Sequence, residues 1–451
     1  MKPPRAWRFT PWRIFRASLL ALIGVAAGLY PAYFLTRVIF DPALNGAGLS
    51  LPARRLHESL AGRYASWATK RVASGKATLL SHEDISGTEW PLYGSVFYLW
   101  AEEELQAQWE RDHSLFKEEP RRFARPAIDA AARLVADPGH AAWVKKHWGA
   151  SYLEQENLFY RMLVIAALGS HRHLTGSDEF LPLLRSQTDS LAAELAASPT
   201  GQLDDYPGQR FPTDNISAWY AIQRADRVLG TDHSREIEEG LRGFVGARAG
   251  LLGLPPFASE SGSSRPLDGS HGCGNSNACM LAPALWPDTA RSWYAAYEKL
   301  MWQRDWLAAG FREFPVGYPD GEWYFDVDAG PVIRGNGFAA CAFGIAAARR
   351  HGRFDHAYPL SVEAIALSWP LPGGRLLIPR LVSNAADAPY LGEAALLFQF
   401  SAQPLFAPAR HHAGALPAIV FVCLGLYLGG GLLLLRRAYA VLRPRMRSRA
   451  S

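Results

Sequence analysis

The sequence predicts an all-α fold, and two observations support this class. Apolar residues in the 451-residue chain recur mainly at helical spacing, and strand-like alternation is rare. Connectors rich in Gly, Pro, Ser and Asp, such as 198–213, 255–277 and 314–330, are too long to be simple turns. The amphipathic helix candidates are 54–73, 91–110, 121–137, 151–173, 178–197, 214–229, 233–248, 288–306 and 331–350.

The way these helices are joined predicts their arrangement. Short links alternate with long loops, which is typical of antiparallel helix pairs arranged around one centre. The chain therefore predicts an (α/α)6 toroid over residues 37–412. A superhelical repeat array is the competing layout, but the sequence has no fixed repeat period.

Two uncharged apolar runs flank this domain, at 17–36 and 413–435. Each is long enough to cross a bilayer, since about 20 helical residues span its hydrocarbon core. The first run is longer than the apolar region of a secretory signal and has no clean cleavage site after it. We therefore predict a signal anchor at 17–36 and a second transmembrane helix at 413–435.

Basic residues at the two ends predict the topology. The tails 1–16 and 436–451 contain five and six Lys or Arg residues and no acid. Basic flanks are retained in the cytoplasm, so both tails are predicted to be cytoplasmic and residues 37–412 extracytoplasmic. For a bacterial protein, this means an inner-membrane anchor, with the lipid bilayer as partner, and a periplasmic domain.

The charge distribution excludes a nucleic-acid binder. Eleven of the 47 Lys and Arg residues lie in the tails, which leaves 36 against 42 Asp and Glu in the rest of the chain. The body is therefore mildly acidic and lacks the basic footprint of such proteins.

The cysteines leave two interpretations open. Cys273 and Cys279 are six residues apart in a segment rich in Gly, Ser and Asn, where an oxidising compartment would permit a disulfide. Plain thiols are the alternative, and a metal site is disfavoured because no second CxxC or paired-His motif occurs. Without a nucleotide-binding loop, metal signature or nucleophile elbow, we predict no cofactor.

Several segments resemble the linalool dehydratase/isomerase family. They are 156–160 (Glu-Asn-Leu-Phe-Tyr), 174–176 (Leu-Thr-Gly), 205–207 (Asp-Tyr-Pro), 214–219 (Asp-Asn-Ile-Ser-Ala-Trp), 229–232 (Leu-Gly-Thr-Asp) and, more loosely, 330–333 (Gly-Pro-Val-Ile). The resemblance implies an (α/α)6 barrel with its active site at the loop-bearing end. That agrees with the fold predicted from the helix pattern.

The chain departs from this family at the catalytic positions. Two active-site cysteines of the family, nine residues apart, correspond here to Asp205 and Asp214, and its active-site histidine corresponds to Leu163. Glu89 and Tyr93 lie in the region of the family's N-terminal acidic and tyrosine residues. These departures put linalool dehydration itself in doubt and leave a carboxylate site.

Three carboxylates are the predicted catalytic residues: Asp205, Asp214 and Glu156. Two carboxyl groups across a pocket can divide the work, one protonated and the other ionised. Asp214 could instead be the N-cap of a helix. Glu156 falls in the first turn of the predicted helix 151–173, where a carboxylate also stabilises the helix dipole.

Further residues are predicted to bind the substrate. They are carboxylates, aromatic rings and hydrogen-bonding groups close to the long loops: Glu89, Tyr93, Asn157, Tyr206, Arg210, Trp219, His271, Asp326 and Asp328. Each has a structural alternative. For Asp326 and Asp328, the alternative is a turn with a capping Asp before Gly-Pro.

Three functions remain open at this point. The leading hypothesis is a linalool dehydratase/isomerase-like lyase or isomerase that acts on a small hydroxylated molecule. A glycan-processing enzyme such as a glycoside hydrolase is the second, since α/α toroids with two carboxylates and many aromatic residues commonly act on polysaccharides. The third is a non-catalytic scaffold of the cell envelope.

Overall fold

The computed structural model describes residues 10–81, 83–246, 253–263, 265–318, 321–326, 329–408 and 414–443. These residues are mostly helical, so the predicted all-α class is confirmed. The helices are α1 (Pro11–Gly24), α2 (Tyr30–Ile39), α3 (Leu51–Ala73), α4 (Ile85–Arg111), α5 (Pro120–Phe123), α6 (Arg125–Ala136), α7 (Ala142–Trp148), α8 (Leu158–Thr175), α9 (Leu181–Ala197), α10 (Pro212–Leu229), α11 (Ser234–Gly246), α12 (Gly272–Leu285), α13 (Pro287–Met301), α14 (Phe338–Arg350), α15 (Phe354–Ser368), α16 (Leu377–Ala385), α17 (Leu391–Ser401) and α18 (Ala418–Leu442).

Short antiparallel strands occur only in the connectors of the described residues. The strands are β1 (Gln209–Arg210), β2 (Ser259–Glu260), β3 (Trp302–Arg304), β4 (Ala309–Phe311), β5 (Trp323–Asp326), β6 (Gly330–Ile333), β7 (Asn336–Gly337), β8 (Pro370–Leu371) and β9 (Arg375–Leu376). β1 pairs with β2, β3 with β4, and β8 with β9, and β6 pairs with β5 on one side and with β7 on the other. They fold the long loops back onto the helices.

Six helices pack in a continuous order. α4 contacts α8, α8 contacts α10, α10 contacts α12, α12 contacts α14, α14 contacts α17, and α17 contacts α4. Helices that lie between them in sequence or precede them pack against members of this set: α3 against α17, α6 and α9 against α8, α13 against α12, and α15 against α14. One large apolar core runs through these contacts, with Trp100, Phe97, Phe398 and Tyr220 in mutual ring contact near its middle.

Two helices are long and apolar enough to cross a membrane. A π-helical turn (Val25–Leu29) joins α1 and α2 into one helix, Pro11–Ile39, and the other is Ala418–Leu442. The first helix extends beyond the predicted run 17–36 at both ends and has Pro11 at its first position. The second helix begins after Pro417, later than the predicted start at 413, and continues past Arg436 and Arg437.

Two predicted helices begin later than expected. In the segment 331–350, β6 and β7 precede α14, which starts at Phe338. In the segment 151–173, a turn occupies 151–157 and α8 starts at Leu158. A non-helical backbone is favoured before α14 by Pro331 and before α8 by Asn157, whose φ is 33°.

The cysteine segment is helical, not a loop. Cys273 and Cys279 both lie in α12, where residues six apart point to different sides of the helix. The structure joins none of the described cysteines in a disulfide, so the disulfide interpretation is wrong for this structure.

Candidate functional site

The predicted site residues converge where connectors enter four of the six contacting helices. Glu89 lies in the first turns of α4, Asn157 is the N-cap of α8, Asp214 lies in the first turn of α10, and His271 is the N-cap of α12. Each connector therefore delivers its polar residues to the amino-terminal end of a helix.

Asp205 is the most deeply buried acid of this group, with 1% of its surface exposed. Burial raises the pKa of the Asp205 carboxyl well above its usual value, and the negative charge of Asp214 raises this pKa further. The Phe211 N–H donates to Asp205 Oδ2 at 2.7 Å. This hydrogen bond lowers the pKa of Asp205, but by less than burial and Asp214 raise it. The structure thus places a carboxyl group that favours its protonated form beside a second carboxyl group.

Asp214 is not the helix N-cap that the sequence allowed. The N-cap of α10 is Phe211, whose carbonyl accepts from the Asp214 N–H at 3.1 Å. Asp214 occupies the first turn, where the helix dipole favours a negative charge. Asp205 and Asp214 therefore lie close enough for the charge of Asp214 to act on the Asp205 carboxyl.

Tyr206 connects this pair to Glu89 of α4. Its hydroxyl donates to Glu89 Oε1 through a short hydrogen bond. Burial raises the pKa of Tyr206, and the charges of Glu89, Asp205 and Asp214 raise this pKa further. We call Glu89, Asp205 and Asp214 the acid cluster, with Tyr206 as the hydroxyl that lies close to all three.

An aromatic wall flanks the acid cluster. The Tyr206 ring lies 5.1 Å from His147, 6.1 Å from Trp143 and 6.4 Å from Phe159, measured between centroids. Phe159 in turn stacks on Tyr93 at 6.0 Å with an interplanar angle of 14°. Trp143 and Phe159 are buried and Tyr93 and Tyr206 are half-buried, so these rings pack against one another beside the acids.

Several predicted residues support the loop through hydrogen bonds. Glu156 Oε2 accepts from the Asp204 N–H at 2.8 Å, and the Arg210 Nε donates to Asp204 Oδ1 at 3.0 Å. Asn157 donates to the Tyr152 carbonyl at 2.8 Å. The observed contacts of Glu156, Asn157 and Arg210 thus hold the turn that carries Asp205.

Trp219 lies away from the acid cluster. It is buried in α10, and its ring packs so closely on α11 that a Cβ at Gly240 would lie 2.3 Å from it. Asp326 ends β5 opposite Gly330, and Asp328 lies outside the described residues. The structure therefore does not bring Trp219 to the other predicted site residues.

His271 belongs to a second group of side chains, which lies next to Phe211, the residue before α10. Its ring stacks on Phe257 at 4.3 Å, and Phe257 contacts Phe211 at 5.5 Å. The His271 Nδ1 lies 3.8 Å from Glu313 Oε1, and the fully buried Glu313 carboxylate accepts from the Cys273 N–H at 3.1 Å. This pair adds a histidine and a carboxylate beside α12.

The sequence reasoning missed some residues of the site. Asp204 anchors the loop by accepting from Arg210, Gly208 and Ser261, and Trp143 and His147 of α7 complete the aromatic wall. The Asp-Asp pair at 204–205 was a visible signal for Asp204. No signal pointed to α7, because only the fold brings it beside Tyr206.

Among the described residues, no three His, Cys, Asp or Glu side chains form a group that could hold a metal ion. A crevice between α2, α3 and the β8–β9 turn shares no residue with the acid cluster. A scan against models of protein families finds no match for the chain, and a search of curated proteins finds no match either.

Proposed function

We propose that the chain is a membrane-anchored enzyme, similar to linalool dehydratase/isomerase, that acts on a hydroxylated substrate by carboxylate acid/base chemistry. The supporting observation is the pairing of Asp205 with Asp214 beside Tyr206. Asp205 donates a proton to the substrate oxygen, so that the C–O bond breaks and water leaves. Asp214 removes a proton from the neighbouring carbon.

The proposed fold is an (α/α)6 toroid, and the packing order of the helices supports it. Six helices contact one another in sequence and the last contacts the first, while the intervening helices pack outside. The site residues also lie at the amino-terminal ends of four of these six helices, as expected for a site at one mouth of such a ring.

The proposed location is a cell membrane, with both basic tails in the cytoplasm and the helical domain on the outside. The helices Pro11–Ile39 and Ala418–Leu442 support this location through their length and apolarity. In intact cells, both tails should resist an added protease while the domain is cleaved. Cleavage of the tails would contradict this topology.

A glycan is the second candidate substrate, favoured by the aromatic wall. Tyr206, Trp143, Phe159 and Tyr93 give several ring surfaces next to two carboxyl groups, which a glycosidase also needs. In that reaction, Asp205 would protonate the glycosidic oxygen and Asp214 would act as nucleophile or activate water.

The test is an assay of the full-length protein in lipid nanodiscs against terpenoid alcohols and envelope glycans. Asp205→Asn and Asp214→Asn should each lower kcat by about 100-fold or more, with little change in KM. Asp288→Asn is the matched control, because Asp288 is exposed at the start of α13.

Each outcome of this assay decides between the functions. Turnover of an alcohol with loss in both variants supports the dehydratase-like function, and turnover of a glycan supports the second candidate. Full activity of both variants would show that the carboxylate assignment is wrong. A wild-type protein inactive on every substrate would favour an envelope scaffold.

A further inference from the structure

The N-terminal apolar helix follows α15 in the opposite direction. The Tyr358 hydroxyl, near the start of α15, donates to the Ile39 carbonyl at 2.8 Å. Trp369, directly after α15, donates from Nε1 to the Ala27 carbonyl at 3.0 Å. The segment from Ala27 to Ile39 therefore lies along the domain, and the segment before Ala27 extends beyond the end of α15.

The C-terminal apolar helix follows α15 in the same direction. Gly414, which precedes α18, lies against the Asp355 carbonyl at the start of α15. A Cβ added at Gly414 would lie 2.4 Å from this carbonyl oxygen. The Tyr427 hydroxyl donates to the Ala366 carbonyl near the end of α15. Beyond Tyr427, α18 continues beside α1, and the Arg13 Nε donates to the Val441 carbonyl at 2.9 Å.

The end of α15 lies on the same side of the domain as the acid cluster. α14 and α15 are antiparallel neighbours, and α14 begins beside Glu313, where a Cβ at Gly337 would meet the Glu313 carboxylate. Glu363, near the end of α15, accepts a hydrogen bond from the Ala309 N–H. Two residues further along the same strand, the Phe311 N–H donates to Cys341 in the first turn of α14. Both apolar helices therefore leave the domain toward its acid-bearing end.

This end also carries exposed apolar side chains. In α16, Ile378, Leu381 and Val382 are 41%, 55% and 60% exposed, and the Leu377 N–H bonds to the carbonyl of Trp369 at 3.1 Å. An amphipathic helix of this kind, beside segments that enter a bilayer, fits the boundary between headgroups and acyl chains.

A second exposed apolar surface lies on the β5–β6 hairpin, directly before α14. Trp323 and Ile333 face each other across the two strands and are 68% and 41% exposed, and Phe325 is 71% exposed. Large exposed aromatic residues of this kind are typical of protein that contacts the membrane interface.

We infer that the acid-bearing end of the domain faces the lipid bilayer and contacts it through α16 and the β5–β6 hairpin. This inference rests on the membrane anchoring proposed above. The apolar faces then continue the lipid-facing surfaces of the two helices, such as Leu426 of α18. A site that opens toward lipid receives an amphiphilic alcohol more readily than a glycan, so the same geometry favours the first substrate class.

The experiment measures whether α16 is in lipid. Val382→Cys is labelled with an environment-sensitive fluorophore in nanodiscs with or without nitroxide-labelled phospholipid. Leu426→Cys, on the exposed side of α18, is the positive control. Leu405→Cys, beyond the carboxyl end of α17 and 45% exposed, is the negative control. Unsubstituted protein gives the background, since three native cysteines are buried and Cys341 is half-buried.

We expect the label at Val382 to be blue-shifted and quenched by nitroxide lipid, as at Leu426, whereas the label at Leu405 is neither. Quenching at Leu426 but not at Val382 would leave the anchoring intact and overturn the inference about α16. If the label at Leu426 is not quenched either, the anchoring itself is wrong and the inference falls with it.

Discussion

The two ends of α4 hold acidic side chains in different surroundings. Toward its carboxyl end, Glu102 pairs with His57, Glu103 with Arg224 and His173, and Glu104 with Arg350. Toward its amino end, Glu89 accepts from a neutral hydroxyl, and the nearby Asp205 has another acid as neighbour. Basic partners match the acids at the carboxyl end, whereas at the amino end the charge of Asp214 acts on Asp205.

This difference in surroundings shifts the pKa values of Glu103 and Asp205 in opposite directions. Glu103 is buried, which alone would raise its pKa, but Arg224 and His173 lower it to about 2. Burial and Asp214 act in the same direction on Asp205 and raise its pKa. Removing one partner of a buried ion pair is strongly destabilising, and strongly shifted pKa values are common at functional sites.

The largest expected effect is at the carboxyl end of α4. Arg224→Ala removes the guanidinium from the buried Glu103 and should lower the free energy of unfolding by about 3 kcal/mol. The loss should shrink as the pH falls from about 4.5 to about 2, because Glu103 then becomes protonated also in the folded protein. Chemical unfolding of the purified protein measures it, with the exposed Arg185→Ala as control. Equal stability of the two variants would show that the pair contributes nothing.

A smaller effect of opposite sign is expected at the acid cluster. Asp205 has a raised pKa in the folded state, so its contribution to stability is full below the unfolded pKa and is lost as the pH rises through the folded value. Asp205→Asn keeps the neutral form, so its free energy of unfolding should exceed that of the wild type increasingly at high pH, by on the order of 1 kcal/mol, and its Tm should rise accordingly.

Glu363→Gln is the control for this experiment. Burial raises the pKa of Glu363 to about 8, and this residue lies in α15 outside the acid cluster. Its substitution should give a similar gain in Tm above pH 8 while activity is retained. A Tm of Asp205→Asn that follows the wild type at every pH would show that Asp205 does not favour protonation.

The smallest effect concerns the hydroxyl between the acids. Tyr206→Phe removes the hydrogen bond to Glu89 and should cost about 1 kcal/mol at pH 7, measured by thermal unfolding. Tyr152→Phe, a half-buried tyrosine of the preceding turn, is the control and should change stability less. An unchanged Tm for both variants would contradict a contribution of the Tyr206 hydroxyl.

The sequence predicted the elements whose signals are local. The two apolar runs and the amphipathic segment 54–73 correspond to helices, because hydropathy and periodicity depend on neighbouring residues only. The helix α12 was missed because its Gly, Ser and Asn content suggests a loop. Its polar residues Asn275, Ser276 and Asn277 are nevertheless all buried and bonded to other segments, as Ser276 is to Tyr297.

The site was predicted in part for the same reason. Asp205, Asp214 and Tyr206 are close in sequence, so their proximity could be inferred from one loop. Glu89 and His147 reach Tyr206 only through the packing of α4 and α7 around α8, and no local pattern encodes these contacts. Trp219 is near Asp214 in sequence, but the helical turn directs it to α11.

The crossing of the first and last helices determines when the chain can finish folding. A Cβ at Gly28 would lie 2.4 Å from the Gly431 Cα, so the two backbones touch where only glycine fits. The first helix therefore cannot make this contact until residue 431 has been synthesised. If translation stops before residue 431, the first helix of the released product has an exposed backbone surface at Gly28. Cellular quality control can recognise this state.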